Sequence, residues 1–274
     1  MRLRLFAIVL LLSCMVNTVS AEIQSSDLLE AALSLLPHGH TIIQRYNDKT
    51  DGMLQSQYPG GVPYYFAGVN EELILKPRFP QQPTTYFRAE RMYLYGFDCK
   101  GFTRWCYLQQ GLEEHPSLTA ILSDPAKMDL NWVSPEKLHE VLQVGDLYVI
   151  NYGARHVMMY IGTLRDYGIT EHPQLQPYLD YPLVIHCGNN PFYYDYYKNY
   201  IAQYKLKSYP PDGGVTVSLL FVEDKSGAKV RKDTRGRDFY YYDVDGSIIS
   251  IINLSGVHKA TWWRDQKMTF FSTY

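Results

Sequence analysis

Three residues in this sequence have side chains suited to nucleophilic catalysis: Cys99, His156 and His186. Cys99 lies at the predicted start of a helix, where free backbone N–H groups and the positive end of the helix dipole lower the pKa of a thiol. A cysteine nucleophile also needs a base and a polar group that orients the base. His156 heads a predicted apolar strand, and we expect the strand that carries His186 to lie beside it.

The simpler interpretation of each candidate is a buried inert thiol or a structural histidine. Cys106 lies inside the same predicted helix as Cys99, and Cys187 points away from His186 on its strand. Both cysteines are therefore predicted to be core residues. Asn189 and His172 remain alternatives to His186 as the orienting residue.

Helices precede strands along the chain, which predicts an α+β fold with one antiparallel sheet backed by helices. Apolar residues at helical spacing predict helices over 26–36, 40–54 and 99–110 and a short helix over 135–141. Prolines within 58–97 favour an extended crossing there. Short β-branched or aromatic segments predict strands over 146–151, 156–162, 183–187, 215–222, 239–244 and 247–252.

Composition narrows the class of protein. The chain has 274 residues, of which 46% are hydrophobic and 20% charged, and its net charge is −2. These values fit a globular protein and exclude a disordered or collagen-like chain. We also expect no nucleic-acid partner, because binding a phosphate backbone requires a basic protein surface. The 25 tyrosines favour β-structure and a polar binding groove.

The N-terminus predicts export. Arg2 and Arg4 precede an apolar run over 5–16, and residues 19–21 are small at the positions that a signal peptidase reads. The run is too short to span a bilayer, so we expect a signal peptide over 1–21 and no membrane span. A lipoprotein signal is the second interpretation, in which Cys14 would carry the lipid. The expected organisation is a helical segment over 22–60 and a catalytic domain over 61–274.

Four segments of the sequence carry recognisable motifs. They are Gly61-Val62-Pro63-Tyr64-Tyr65-Phe66-Ala67-Gly68; Asp98-Cys99-Lys100-Gly101-Phe102; Gly145-Asp146-Leu147 with His156-Val157 and Tyr160-Ile161-Gly162; and Val184-Ile185-His186. In this order they resemble the NlpC/P60 family of bacterial cell-wall cysteine peptidases. Together they extend over about half of the exported chain, and their order is more specific than any single motif.

The resemblance implies a papain-like α+β fold with N-terminal helices packed on an antiparallel sheet. It implies Cys99 as nucleophile, His156 as base and His186 as the orienting third residue. The implied substrates are peptidoglycan stem peptides, cut at the bond between D-γ-glutamate and a diamino acid. No metal or other cofactor is implied. An amidase or acyltransferase on the same scaffold and a non-catalytic cell-wall-binding protein remain alternatives.

The same resemblance implies that Tyr64 binds substrate, and Asp98 and Lys100, on either side of Cys99, are further predicted substrate-binding residues. Lys100 departs from the family, which usually has serine there. Two insertions, over 69–97 and 164–181, are expected to flank the groove.

Other features are predicted to be structural. The basic stretch 229–237 is interpreted as a solvated loop. Residues 243–246 are interpreted as a turn rather than a calcium loop. His38 and His40 resemble two ligands of a zinc site, but no further ligands follow at suitable spacing, so a metal site is not predicted there. Tyr194, Tyr196, Tyr197 and the tyrosines at 240–242 are assigned to packing in the sheet.

Overall fold

The computed structural model describes residues 25–64, 96–110, 134–150, 156–203, 211–253 and 258–261. The predicted signal peptide, Cys14 and nearly all of the 69–97 insertion lie outside these residues. Within them the fold is mixed α/β. The α-helices are α1 (Ser25–Leu33), α2 (Thr41–Thr50), α3 (Cys99–Leu108) and α4 (Pro191–Gln203), and the predicted short helix over 135–141 is a 3₁₀ helix, Pro135–Glu140. The strands are β1 (Leu147–Ile150), β2 (His156–Thr163), β3 (Pro182–Asn189), β4 (Gly213–Leu220), β5 (Lys229–Lys232), β6 (Asp238–Val244), β7 (Ser247–Ile252) and β8 (His258–Thr261).

The described strands form one sheet in the order β5-β6-β7-β4-β3-β2-β1-β8. Strands β4 and β7 are parallel, so the prediction of a wholly antiparallel sheet is wrong for this pair. The other neighbouring pairs are antiparallel. A parallel pair needs a long connection, and the β5–β6 hairpin between β4 and β7 supplies it. This pairing brings Ser218 of β4 opposite Ser250 of β7.

Alternate residues of the strands face two hydrophobic clusters. Leu28 of α1, Phe102 of α3 and Val157 of β2 belong to the larger cluster, which contains most of the core. Successive residues of a strand point to opposite faces of the sheet. Met158 and Tyr160 of β2 therefore belong to a smaller cluster on the other face. The start of α3 therefore lies against the sheet beside the start of β2. No helix in the described ranges has the length and apolar character required to cross a membrane.

Helix α4 was not expected from the sequence. Its N-terminus is capped by Asn190, whose Oδ1 accepts a hydrogen bond from the Phe192 N–H at 3.0 Å. The rings of Tyr193 and Tyr197 stack one helical turn apart, and their hydroxyls donate to backbone carbonyls. These contacts thus stabilise a helix that is rich in tyrosine, a residue with only modest intrinsic helix propensity. The assignment of Tyr194, Tyr196 and Tyr197 to the sheet is wrong.

The basic stretch contains an edge strand, β5, rather than only a solvated loop. Lys229 contacts Asp243 at 2.7 Å and Lys232 contacts Asp238 at 2.5 Å, both across the β5–β6 pair. Lysines on an edge strand oppose pairing with other chains. Both lysines are exposed, as expected, but Asp233 is buried and the backbone of β5 is paired.

The 164–181 insertion does not flank the end of β2 that carries His156. It leaves β2 after Thr163, roughly 23 Å along the strand from His156. Its residues Leu164, Ile169 and Leu175 are fully buried in the main core. Lys49 of α2 donates to the Asp166 carbonyl at 3.1 Å. The expectation that this segment borders the site is therefore wrong, because its apolar residues close the opposite end of the core.

Candidate active site

Asp98 fixes the start of the helix that carries Cys99. Its backbone is extended, and its Oδ1 accepts a hydrogen bond from the Gly101 N–H at 2.6 Å. A side-chain acceptor at this position satisfies one of the unpaired N–H groups of the first turn. The helix then begins at Cys99, as the sequence predicts.

The Cys99 thiol is half-buried against the main core, next to the first residues of β2. Burial raises the pKa of this thiol to about 11. The backbone N–H of Val157 and those at the start of α3 act in the opposite direction, while the charge of Asp98 adds to the rise. The predicted lowering of the Cys99 pKa is wrong, because desolvation of the thiolate exceeds the effect of the helix N-terminus.

His156 and His186 are in direct contact across the β2–β3 pair. The distance from His156 Nε2 to His186 Nδ1 is 2.9 Å, and the two rings are perpendicular. Burial lowers the pKa of His156 to about 4. Burial, together with the charge that His156 would carry, lowers the pKa of His186 well below its usual value. Both rings are therefore neutral at pH 7, and each must offer one donor and one acceptor nitrogen.

Cys99 thus lies at a helix start, with its sulfur near the backbone of Val157, the residue that follows His156. Residues 61–176 match the family model of the NlpC/P60 family. Over these residues the chain is similar to the NlpC/P60 family. Members of this family are generally cell-wall hydrolases, peptidases or amidases, and peptidoglycan is the implied substrate. Comparisons with curated proteins and with solved structures found no match.

The NlpC/P60 match includes Cys99 and His156 but ends before His186. The structure connects His186 to this segment through the ring contact with His156. Neither sequence alternative makes that contact. Asn189 donates to Asp233 at 3.3 Å, and His172 lies 3.6 Å from Asp245. Among the described residues, His186 is thus the one of the three whose ring contacts His156.

The residues predicted to bind substrate lie around the start of α3. Tyr64 forms a parallel bridge with Phe97, two residues before Cys99, and packs against the same core. Asp98 is the helix cap described above, and Lys100 is half-buried in the first turn. Their contact with substrate stays a prediction. Cys106 and Cys187 are fully buried, which confirms their assignment to the core.

Gly188 is a part of the site that the sequence reasoning missed. A Cβ atom on Gly188 would lie 2.7 Å from His186 Nδ1 and 3.4 Å from His156 Cε1. The backbone here is not in the left-handed region, so the need for glycine comes from the two rings alone. A glycine inside a strand is itself a signal of close approach, and this one follows His186 by two residues.

Two serines that the sequence reasoning also missed lie behind the histidines. His186 Nε2 is 2.7 Å from Ser218 Oγ, and Ser218 Oγ is 2.5 Å from Ser250 Oγ. A cue exists in β4, where Thr216 and Ser218 alternate with the apolar Val215, Val217 and Leu219. Their proximity to His186 depends on strand register, which the sequence does not specify.

His38 and His40 form hydrogen bonds within the N-terminal segment. The distance from His38 Nδ1 to the Ser56 carbonyl is 2.9 Å. His40 caps α2, and its Nδ1 accepts a hydrogen bond from the Ile42 N–H at 3.2 Å. Burial lowers the pKa of His40 to about 4. His40 therefore shares with His156 a strong preference for the neutral form in the folded state.

Acidification from pH 7 to pH 5 should destabilise the fold by about 2 kcal/mol for each of His40 and His156. Below about pH 6.5 the unfolded chain binds protons that the folded chain excludes. The stability that comes from excluding these protons is therefore fully present above that pH and is lost as the pH falls toward 4. Urea unfolding at several pH values measures this loss.

His40→Asn is the matched variant for this effect. Asparagine can still accept a hydrogen bond at a helix N-cap, but it does not titrate. The variant should lose about 2 kcal/mol less than the wild type over the same pH interval. An unchanged pH dependence in His40→Asn would show that His40 is not a source of the acid sensitivity.

Proposed function

We propose that this protein is an exported cysteine peptidase that hydrolyses amide bonds in peptidoglycan stem peptides. The proposed bond joins D-γ-glutamate to a diamino acid. The observation that carries the proposal is the placement of the Cys99 sulfur at the Val157 N–H, directly after a histidine that is held by a second histidine. A helix that begins at the nucleophile and packs against the sheet also supports a papain-like arrangement.

The mechanism begins from a neutral thiol and a neutral imidazole. Burial disfavours both the thiolate and the imidazolium, so a pre-formed ion pair is not expected in the free enzyme. His156 Nδ1 is the ring nitrogen that does not face His186. It takes the thiol proton as the sulfur attacks the amide carbonyl, so that charge develops together with the new C–S bond.

The tetrahedral oxyanion would be held by the Cys99 backbone N–H and the Tyr64 hydroxyl. The C–N bond then breaks, and the imidazolium of His156 gives its proton to the leaving amine. A water molecule, deprotonated by His156, attacks the thioester carbonyl. The C–S bond then breaks, the acid product leaves, and the imidazolium of His156 returns its proton to the Cys99 sulfur. Apart from the attacking water, these steps use only side chains and backbone groups of the chain itself.

Product analysis tests the proposal. The exported chain is incubated with defined stem peptides in ¹⁸O water, and the products are identified by mass spectrometry. Cleavage should give a γ-glutamyl carboxylate that contains ¹⁸O and a free amine on the diamino acid. Cys99→Ala serves as the paired inactive control. Peptides that remain intact with the wild-type protein would contradict the proposal.

The two alternatives give different results in the same experiment. An acyltransferase would form a new amide when an amine acceptor is added, instead of incorporating ¹⁸O. A non-catalytic wall-binding protein would sediment with purified cell walls and release no peptide from them.

A further inference from the structure

Four side chains, of which the last three are buried, form a continuous chain of hydrogen bonds from the candidate base to the middle of the sheet. It runs from His156 to His186, then to Ser218 and Ser250. The last member, Ser250, donates through its Oγ to the Val217 carbonyl at 3.3 Å. His186 is 4% exposed, Ser218 0% and Ser250 3%, so exchange of these bonds with bulk water is not available.

The carbonyl of Val217 fixes the direction of donation along this series of hydrogen bonds. A carbonyl oxygen can only accept, so the Ser250 hydroxyl proton points to Val217. Ser250 Oγ then accepts from the Ser218 hydroxyl, because Ser250 has no second proton. Ser218 Oγ in turn accepts from His186, which places the proton of neutral His186 on Nε2.

We propose that Ser218 and Ser250 form a serine relay that fixes the tautomers of His186 and His156 and thereby leaves unprotonated His156 Nδ1, the ring nitrogen that does not face His186. With its proton on Nε2, His186 accepts at Nδ1 from the Nε2–H of His156. The lone pair of His156 is then on Nδ1, the nitrogen required by a base that removes the thiol proton. The two serines are positioning residues, and this role rests on the function proposed above.

The opposite proton order is less favourable. If Ser250 donated to Ser218, then Ser218 would donate to His186, and His186 would donate to His156. His156 would carry its proton on Nδ1 and could not act as the base. That order also forms one hydrogen bond fewer, because the Ser250 oxygen would face the Val217 carbonyl without a proton between them. The parallel β4–β7 pair creates the preference, since its register places Ser218 beside Ser250.

The histidine tautomers can be read directly by NMR of the full chain labelled with ¹⁵N in the histidine rings. His156→Gln and His186→Gln assign the two signals. In the wild type without substrate, both rings should be neutral with the proton on Nε2. A proton on Nδ1 of His186 in the wild type would overturn the relay, and this measurement requires no serine variant.

Ser250→Ala gives the sharper test because Ser250 touches neither histidine ring in the chain of bonds. Without an acceptor for its own proton, Ser218 should donate to His186, so both rings should move toward the Nδ1–H tautomer. Peptide cleavage should show a kcat lower by about 10- to 100-fold with little change in KM. Ser250→Thr keeps the hydroxyl and should retain the wild-type tautomers.

Ser247→Ala is the matched control, since Ser247 lies on the same strand, is also buried, and accepts from the Thr41 N–H. It should leave both tautomers unchanged. Unchanged tautomers in folded Ser250→Ala would contradict the relay. The ring signals are measured without substrate, so the expected tautomers in a wild type that cleaves no peptide would support the relay and contradict the proposed function alone.

Discussion

Replacement of Cys99 by serine should reduce peptide cleavage by at least about 10⁴-fold while the fold is retained. The thiol of Cys99 has a pKa raised to about 11, and a serine hydroxyl in the same buried place would be far harder to deprotonate. His156, with a pKa near 4, is too weak a base to compensate. The values of kcat/KM on a defined stem peptide and the urea unfolding curve measure the two parts of this prediction.

Cys106→Ala is the matched control for this experiment. Cys106 lies on the same helix but is fully buried in the core. Loss of its sulfur should cost about 1 kcal/mol of stability and leave cleavage nearly unchanged. If Cys99→Ser retained a substantial share of the wild-type rate, or if Cys106→Ala lost as much activity, Cys99 would not be the nucleophile.

Local signals explain which parts of the site the sequence predicts well. Asp98 is a strong N-cap, so the start of α3 and the place of Cys99 follow from neighbouring residues. The strands that carry His156 and His186 also follow from short-range patterns, although their bounds in the structure are longer by one or two residues at some ends. The NlpC/P60 resemblance then joins these elements in the expected order.

Other parts of the site depend on contacts between distant residues. The raised pKa of Cys99 results from burial by the assembled core, which a helix-start argument does not include. Ser218 and Ser250 become neighbours only through the parallel pairing of β4 with β7, two strands separated by a hairpin. Helix α4 is missed for a similar reason, because Tyr193 and Tyr197 are held by partners in other segments.

The same dependence on distant contacts changes the expected chemistry of the thiol. A helix start alone predicts a thiolate that is present before substrate arrives. Burial of both Cys99 and His156 instead favours the neutral pair, in which proton transfer accompanies attack. The rate then depends strongly on the position and tautomer of His156. Residues that hold the two histidine rings, rather than residues that add charge, should therefore have the largest secondary effects on catalysis.

Gly188→Ala should lower peptide cleavage by about 100-fold or more without unfolding the protein. The added Cβ would lie 2.7 Å from His186 Nδ1, the atom that bonds His156 Nε2. Because Ser218 holds the other side of the His186 ring, the ring must move by about 1 Å and carry His156 with it. A displacement of this size between a base and its nucleophile costs about two orders of magnitude in rate.

Three measurements distinguish this mechanism from a general loss of structure. The rate of cleavage, the urea midpoint and the ring ¹⁵N signals of His156 and His186 are compared between Gly188→Ala and the wild type. Gly236→Ala is the control, because a Cβ there meets no neighbour, although its positive φ adds a backbone cost of its own. Gly188→Ala should keep most of its stability, lose its activity and shift both ring signals. Full activity in Gly188→Ala would mean that the contact between the two histidines does not position the base, since no ordinary side chain fits beside that contact as the structure has it.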